Sequence, residues 1–218
     1  MNPRLTLYSY WRSSASYRVR MALHLKGLDF ELRPVHLLRD GGQQFTPDYR
    51  KLNAQQLVPT LVHGELVLGQ SLAIIEYLDE TFPDSPLLPE TPAERAWARM
   101  LAQAIACDIH PLNNLRVLGY LVEQLGASDG DRLAWYRRWT ESGLESVERL
   151  LRRRREQTLF CHGKEPGLAD CCLLPQVYNA RRFECSLERF ERIVDICDRL
   201  EALEPVQAAA PENQADAE

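Results

Sequence analysis

A proline-dense stretch, Phe82-Pro83-Asp84-Ser85-Pro86-Leu87-Leu88-Pro89-Glu90-Thr91-Pro92, cuts the 218-residue chain. Proline fixes φ and removes a backbone donor, so no helix or central strand continues across it. The chain must fold as two blocks joined by a linker, and the patterns on its two sides differ. Before the linker, short apolar strands alternate with helical runs. Residues 4–10 and 29–36 read as strands. Residues 14–26 read as a helix stopped by Gly27, and 60–62 with 66–68 read as a hairpin turned at His63-Gly64-Glu65. Residues 71–80 read as a helix. After the linker there is no strand signal, and 95–109, 114–125, 131–155, 168–182 and 187–203 are helical by period. In the third of these runs Tyr136, Trp139, Gly143, Val147 and Leu150 fall near one face. The expected organisation is an α/β domain over 1–82, a linker over 83–92 and an all-α domain over 93–205. Residues 206–218, rich in Ala, Pro and acids, are expected to be a disordered tail.

Composition narrows the class. Hydrophobic residues at 45% and charged residues at 26% are ordinary for a globular protein. No apolar run approaches the roughly 20 residues of a membrane span. The N-terminus shows no apolar leader, so a cytoplasmic protein is expected. The net charge of -5 argues against a nucleic-acid partner. The run Arg152-Arg153-Arg154-Arg155 reads as a solvated helix end, where cations suit the dipole. The six cysteines, Cys107, Cys161, Cys171, Cys172, Cys185 and Cys197, form no CxxC pair and stand at no zinc-like spacing. They read as reduced thiols in a helical core, with no metal site expected.

The chemistry-bearing stretch is Tyr10-Trp11-Arg12-Ser13-Ser14-Ala15-Ser16-Tyr17-Arg18-Val19-Arg20. A strand, a hydroxyl-rich turn and a helix place serines at a helix N-terminus, where unpaired N–H groups gather and the dipole favours negative charge. Taken alone, such serines are explained by capping. Two further motifs follow in order, Gln56-Leu57-Val58-Pro59-Thr60-Leu61 and Gln70-Ser71-Leu72-Ala73-Ile74-Ile75-Glu76-Tyr77-Leu78. Together the three resemble a glutathione transferase, and the serine cluster resembles its zeta class, which includes maleylacetoacetate isomerase. The resemblance covers about Leu5 to about Pro205. It implies a glutathione transferase fold, a thioredoxin-like α/β N-terminal domain followed by an all-α C-terminal domain.

The resemblance also implies roles. Thioredoxin-like domains often carry CxxC where this chain has Ser13-Ser14-Ala15-Ser16, so disulfide exchange here is excluded and the thiol must be borrowed from glutathione. A free thiol titrates near ~8.5, and lowering that by two pH units needs about 2.7 kcal/mol of differential stabilisation. Zeta enzymes usually carry Ser-Ser-Cys, and Ala15 departs from that pattern. Ser13, supported by Ser14, is left to orient sulfur, while Tyr8 and Tyr10 read as packing residues. Val58-Pro59 resembles the family's cis-proline corner, which exposes the Val58 backbone to the cysteinyl unit of a tripeptide. Gln70 and Ser71 open a helix whose N–H groups suit the γ-glutamyl carboxylate, with Ser71 as its cap. Gln44, read as an exposed loop residue, matches a position that reaches the peptide's other end. His110 and Asn114 are implied to approach glutathione. Arg12, Arg116 and Arg182 are implied to meet substrate carboxylates, which guanidinium groups pair bidentately. Gly167 stands where the family has Ser or Thr in a capping box, and Asp170 is expected still to reach back to the Gly167 N–H.

The implied activity is glutathione-dependent cis–trans isomerisation of a small dicarboxylate, in a homodimer. A maleylpyruvate isomerase is the nearest alternative. Some such enzymes have Arg where this chain has Leu115, which favours the maleylacetoacetate substrate. A general conjugating or dehalogenating transferase and a non-catalytic binding module are the other readings.

Overall fold

The computed structural model describes residues 4–154 and 158–218. They separate into two units, Met1–Leu87 with Ala202–Glu218, and Leu88–Glu201. The first unit is built on strand β1 (Leu5–Ser9), helix α1 (Ser14–Leu25) and strand β2 (Phe30–Pro34). Parallel strands need a crossover, and α1 supplies it: Leu5 pairs with Phe30 and Ser9 with Pro34. Helix α2 (Pro47–Leu52) follows, then strands β3 (Thr60–His63) and β4 (Leu66–Gly69) and helix α3 (Ser71–Thr81). The four-stranded sheet has the order β2-β1-β3-β4, with β3 antiparallel to both its neighbours. Gly64, at φ +62°, opens the two-residue loop between β3 and β4. The period of the sequence does not announce α2. Its start is marked by Thr46-Pro47, where the Thr46 hydroxyl accepts from the Tyr49 N–H and proline takes the first helical position.

Helix α1 is buried along most of its length. Every residue from Ser16 to Leu23 is buried, Arg18 and Arg20 included. Its far end is fixed by Lys26, whose ammonium lies 3.2 Å from Asp79 Oδ1 of α3 and donates to the carbonyls of Asp84 and Ser85. Asp79 also accepts from the Leu87 N–H. The proline-rich segment is thereby tied to two helices of the first unit.

The expectation of disorder over 206–218 is overturned. After residue 203 the chain forms helix α9 (Glu204–Ala209) and a short turn at Pro211–Asn213. Val206, Ala209 and Pro211 are buried, α9 packs on α1, and the Ala209 carbonyl accepts from Arg20 Nε at 3.0 Å. The Ala- and Pro-rich composition suggests a chain that cannot bury itself, but small apolar residues are what a close helix–helix contact uses.

The second unit is helical: α4 (Pro92–Gln103), α5 (Leu115–Glu123), α6 (Asp129–Arg152), α7 (Leu168–Arg182) and α8 (Glu191–Glu201). The expected helix over 95–109 ends early. From Ala104 to Ile109 the turns widen to i→i+5 spacing, and a tight turn at His110–Asn113 follows. Gly143 of α6 makes room for this: a Cβ there would stand 2.3 Å from Ile109 Cγ1. Helix α6 ends at Arg152, with Arg155 of the arginine run outside the described residues. Asp170 does reach back to the Gly167 N–H at 2.9 Å, and its other oxygen accepts from the Cys161 N–H. Burial holds the Asp170 carboxyl above the usual range. None of the six cysteines forms a disulfide. Five are buried, and burial pushes Cys185 up to about 11. Cys107 departs from the expected core placement, because the widened turns leave it exposed. Among the described residues no helix is long and apolar enough to cross a membrane.

Two substitutions test these contacts. Gly143→Ala raises helix propensity, yet it is expected to lower stability by about 1–3 kcal/mol, because Ile109 must move; a urea titration reads the sign. Asp79→Ala strands the buried Lys26 charge, and a loss of about 3–5 kcal/mol is expected in the same titration.

Candidate active site

The sheet register gathers the first unit's candidate residues at one end. Tyr8 pairs with Thr60 and Thr60 with Gly69. The segment leaving β1, the Val58-Pro59 corner entering β3 and the Gln70, Ser71 pair leaving β4 therefore sit side by side. Strand β2 ends there too, with the Val35 N–H donating to the Ser9 carbonyl. The chain then runs through His36 to Gln44.

At the start of α1, Ser13 is the N-cap, with extended backbone, and its hydroxyl accepts from the Ser16 N–H at 3.3 Å. A hydroxyl has one proton and two lone pairs. Capping uses a lone pair and leaves the proton for another acceptor, so the structural and chemical roles of Ser13 do not compete. Ser13 is half-buried, Ser14 is buried as the first helical residue, and Ala15 is half-buried. The turn before the cap closes through Ser13 N–H to the Tyr10 carbonyl at 3.0 Å. Arg12 is half-buried, with its guanidinium carbon 5.1 Å from the centre of the Trp11 ring. Tyr10 is buried as a packing residue, edge-on to His36 at 4.9 Å.

The Val58-Pro59 peptide is cis. A buried polar cluster holds the loop before it. Asn53 donates to the Leu57 carbonyl and to Thr60 Oγ1, both at 2.9 Å, and accepts from the Gln55 N–H. The Tyr49 hydroxyl donates to the same Leu57 carbonyl at 2.7 Å, and burial raises its pKa. Gln70, not Ser71, is the N-cap of α3, and it stands at φ +65°. Its side chain gives no capping bond. Ser71 is instead the first helical residue, its hydroxyl accepting from Arg18 Nη1 at 3.2 Å. The first-turn N–H groups of α3 are thus left for an outside acceptor.

Gln44 is buried, contrary to its reading as an exposed loop residue. Gly42, at φ +102°, gives the room: a Cβ there would stand 2.6 Å from the Gln44 amide. The amide nitrogen donates to the Leu37 carbonyl, while its buried oxygen has no hydrogen-bond partner among the described residues. An acceptor left so is costly unless a ligand or water donates to it.

The remaining candidates lie in the second unit. His110 opens the tight turn, half-buried. Asn114 caps α5, its side-chain oxygen accepting from the Arg116 N–H at 3.1 Å, and Arg116 is exposed. Helix α6 fixes this segment through Trp135 Nε1 to the Leu112 carbonyl and through Asn113 to Thr140, both at 2.8 Å. Exposed Arg182 ends α7, donating to Asn179 and lying over Phe183, which stacks on Tyr136 of α6 at 3.8 Å.

Two arginines that the motif reading passed over organise the first unit's site. Arg18 reaches Ser71, as above. Arg20 is fully buried and donates to Ser9 Oγ, to the Tyr10 and Trp11 carbonyls and to the Ala209 carbonyl. The available signal was their place inside the apolar run Tyr17-Arg18-Val19-Arg20-Met21, since a buried cation needs partners.

Residues 7–86 match the family model described as the glutathione S-transferase N-terminal domain. A probable maleylacetoacetate isomerase of Vibrio cholerae is 51% identical over 213 residues, covering 98% of each chain. Among solved structures, a holo maleyl pyruvate isomerase described as a bacterial zeta-class glutathione S-transferase superposes with a TM-score of 0.95 at 40% identity. It covers 98% of this chain and is itself covered in full. A maleylacetoacetate isomerase of Methylobacterium extorquens AM1, solved with malonate and GSH bound, gives 0.93 at 38% identity, covering 98% and 99% of the two chains.

The buried network under the Val58-Pro59 corner makes a direct prediction. Asn53→Ala is expected to cost about 1–3 kcal/mol, because it leaves a buried carbonyl and hydroxyl short of a donor. Lys51→Ala, two residues away and exposed, should change the stability read from a urea titration by less than about 0.5 kcal/mol.

Proposed function

Because the chain belongs to the glutathione S-transferase family, among its zeta-class maleylacetoacetate isomerase relatives, we propose that it is a glutathione-dependent cis–trans isomerase converting maleylacetoacetate to fumarylacetoacetate. The observation that carries the reading is the Ser13 hydroxyl: it caps α1 and keeps its proton available, at a helix start that holds no cysteine.

The residues present fit glutathione. The buried oxygen of Gln44 asks for a donor such as a peptide N–H. The Val58 backbone at the cis corner suits an extended peptide. The N-terminus of α3 beside Gln70 and Ser71 suits a carboxylate. When bound, glutathione supplies the nucleophile: its thiolate adds to the conjugated cis double bond, allows rotation and leaves with the bond trans. The chain's part is to hold sulfur deprotonated. The Ser13 proton donates toward it, the α1 dipole favours its charge, and Ser14 and Ala15 form the adjoining first turn. Arg12, Arg116 and Arg182 supply positive charge for the substrate carboxylates and for the charge that develops on the carbonyl oxygen. His110 and Asn114 complete the ligand contacts, with the Asn114 amide NH2 as the group its capping role leaves over. A small dicarboxylate substrate, a homodimer and a cytoplasmic setting belong to the same reading. Malonate in the Methylobacterium extorquens relative, itself a dicarboxylate, supports the substrate class.

The likeness to a maleyl pyruvate isomerase structure favours maleylpyruvate as the second reading. Steady-state comparison of the two substrates decides, and a higher kcat/KM for maleylpyruvate would replace the first with the second. Ultraviolet titration of the glutathione complex tests the shared core. Wild type should hold the thiol midpoint well below ~8.5, and Ser13→Ala should return it toward that value. Loss of the cap costs Ser13→Ala about 1 kcal/mol. Ser13→Asp keeps a capping oxygen, so it should recover stability without recovering the thiolate. An unchanged midpoint in Ser13→Ala would remove Ser13 from the chemistry.

A further inference from the structure

We propose that the segment after α9 is a positioning strap for the sulfur-orienting loop, and that Asp216 is its positioning residue. The inference rests on Ser13 as the residue that orients sulfur. The backbone of Trp11, two residues before Ser13, is fixed in both of the peptides it joins. Its N–H donates to Asp216 Oδ2 at 3.1 Å, and its carbonyl accepts from Arg20 Nη2 at 2.9 Å. Arg20 in turn donates to the Ala209 carbonyl, so one cation ties the loop and α9 together. The Tyr10 carbonyl accepts from both Arg20 and the Ser13 N–H. Rotation of the Tyr10–Trp11 peptide, which carries both the N–H held by Asp216 and the Tyr10 carbonyl, would therefore open the turn that sets the backbone of Ser13 and the aim of its hydroxyl.

The strap also reaches the segment that carries Gln44. The Glu218 carboxylate lies 3.4 Å from His36 Nε2 and pairs with Arg39. His36 is not free to swing, because its Nδ1 accepts from the N–H groups of Leu38 and Arg39 at 3.2 and 2.8 Å. Its backbone N–H donates to Gln43 and its carbonyl accepts from the Gln43 N–H. Acids at two positions, 216 and 218, thus engage both loops that flank the sheet end. Asp216 acts through the Trp11 peptide and needs no contact with either substrate.

Three variants decide: Asp216→Ala, Asp216→Asn, which keeps an acceptor oxygen, and Glu218→Gln. Deuterium exchange of the free protein, followed on peptides spanning 9–16, should speed up at least tenfold in Asp216→Ala and return close to wild type in Asp216→Asn. Peptides from 168–182 should not change. In the glutathione complex, Asp216→Ala should raise the thiol midpoint by about one pH unit, a tenfold loss of thiolate at a pH below both midpoints. The loss should fall on kcat with little change in substrate KM. Glu218→Gln should weaken glutathione binding with no change in the midpoint. Unaltered exchange in Asp216→Ala overturns the proposal whatever the thiol does. Faster exchange with an unmoved midpoint, against a wild type whose midpoint is low, also overturns it, because the segment would then be structural only. A wild-type midpoint no lower than that of free glutathione overturns the Ser13 reading instead, and exchange alone then decides whether residues 211–218 brace the loop.

Discussion

A guanidinium sealed from water at Arg20 is the constraint on which the first unit depends. Taking a cation out of water costs several kcal/mol unless oriented acceptors replace the solvent. Arg20 meets four, from the end of β1, the next two residues and α9. Its demand fixes the positions of those acceptors more tightly than apolar packing could, because hydrogen bonds are directional and packing is not. Arg18, two residues earlier on the same helix, places a second buried cation whose hydroxyl partner opens α3. Both helix starts that the proposed ligand needs are thus organised by positive charge in the interior of this unit. Such charge favours anions at those starts.

At Ser13 the observed cap uses a lone pair of the hydroxyl, and the proposed donation to sulfur would use its proton. A cap alone would tolerate Asp or Asn. A donor toward sulfur demands a proton on the capping atom, which leaves Ser and Thr. Ala15 leaves this helix start without a thiol of its own.

Much of the architecture was legible from local signals. The proline stretch announced two blocks, Gly64 the hairpin turn, and Asp170 three residues after Gly167 the start of α7, whose bounds match those read from its period. What the sequence could not carry were features decided at long range. The Ala209 acceptor lies 189 residues from Arg20, so neither the burial of that arginine nor the order of the last residues could be read from periodicity. The widened turns at Ala104–Ile109 depend on the room left by Gly143 of another helix. Gln44 looked like a loop residue because only the fold turns its side chain inward. The motifs pointed to the end of β1, the start of β3 and the end of β4, but only the register, Tyr8 to Thr60 to Gly69, brings these to a common place.

The first unit is discontinuous in sequence, since its last piece, Ala202–Glu218, is made after the whole of Leu88–Glu201. During synthesis the helical unit can therefore complete itself while its predecessor is still missing a part. Domains generally fold as units as they emerge. Here the earlier one must keep a charged side chain provisionally hydrated until Ala202–Glu218 has left the ribosome. Final closure of the interior around Arg20 thus reports that the helical unit has already been made.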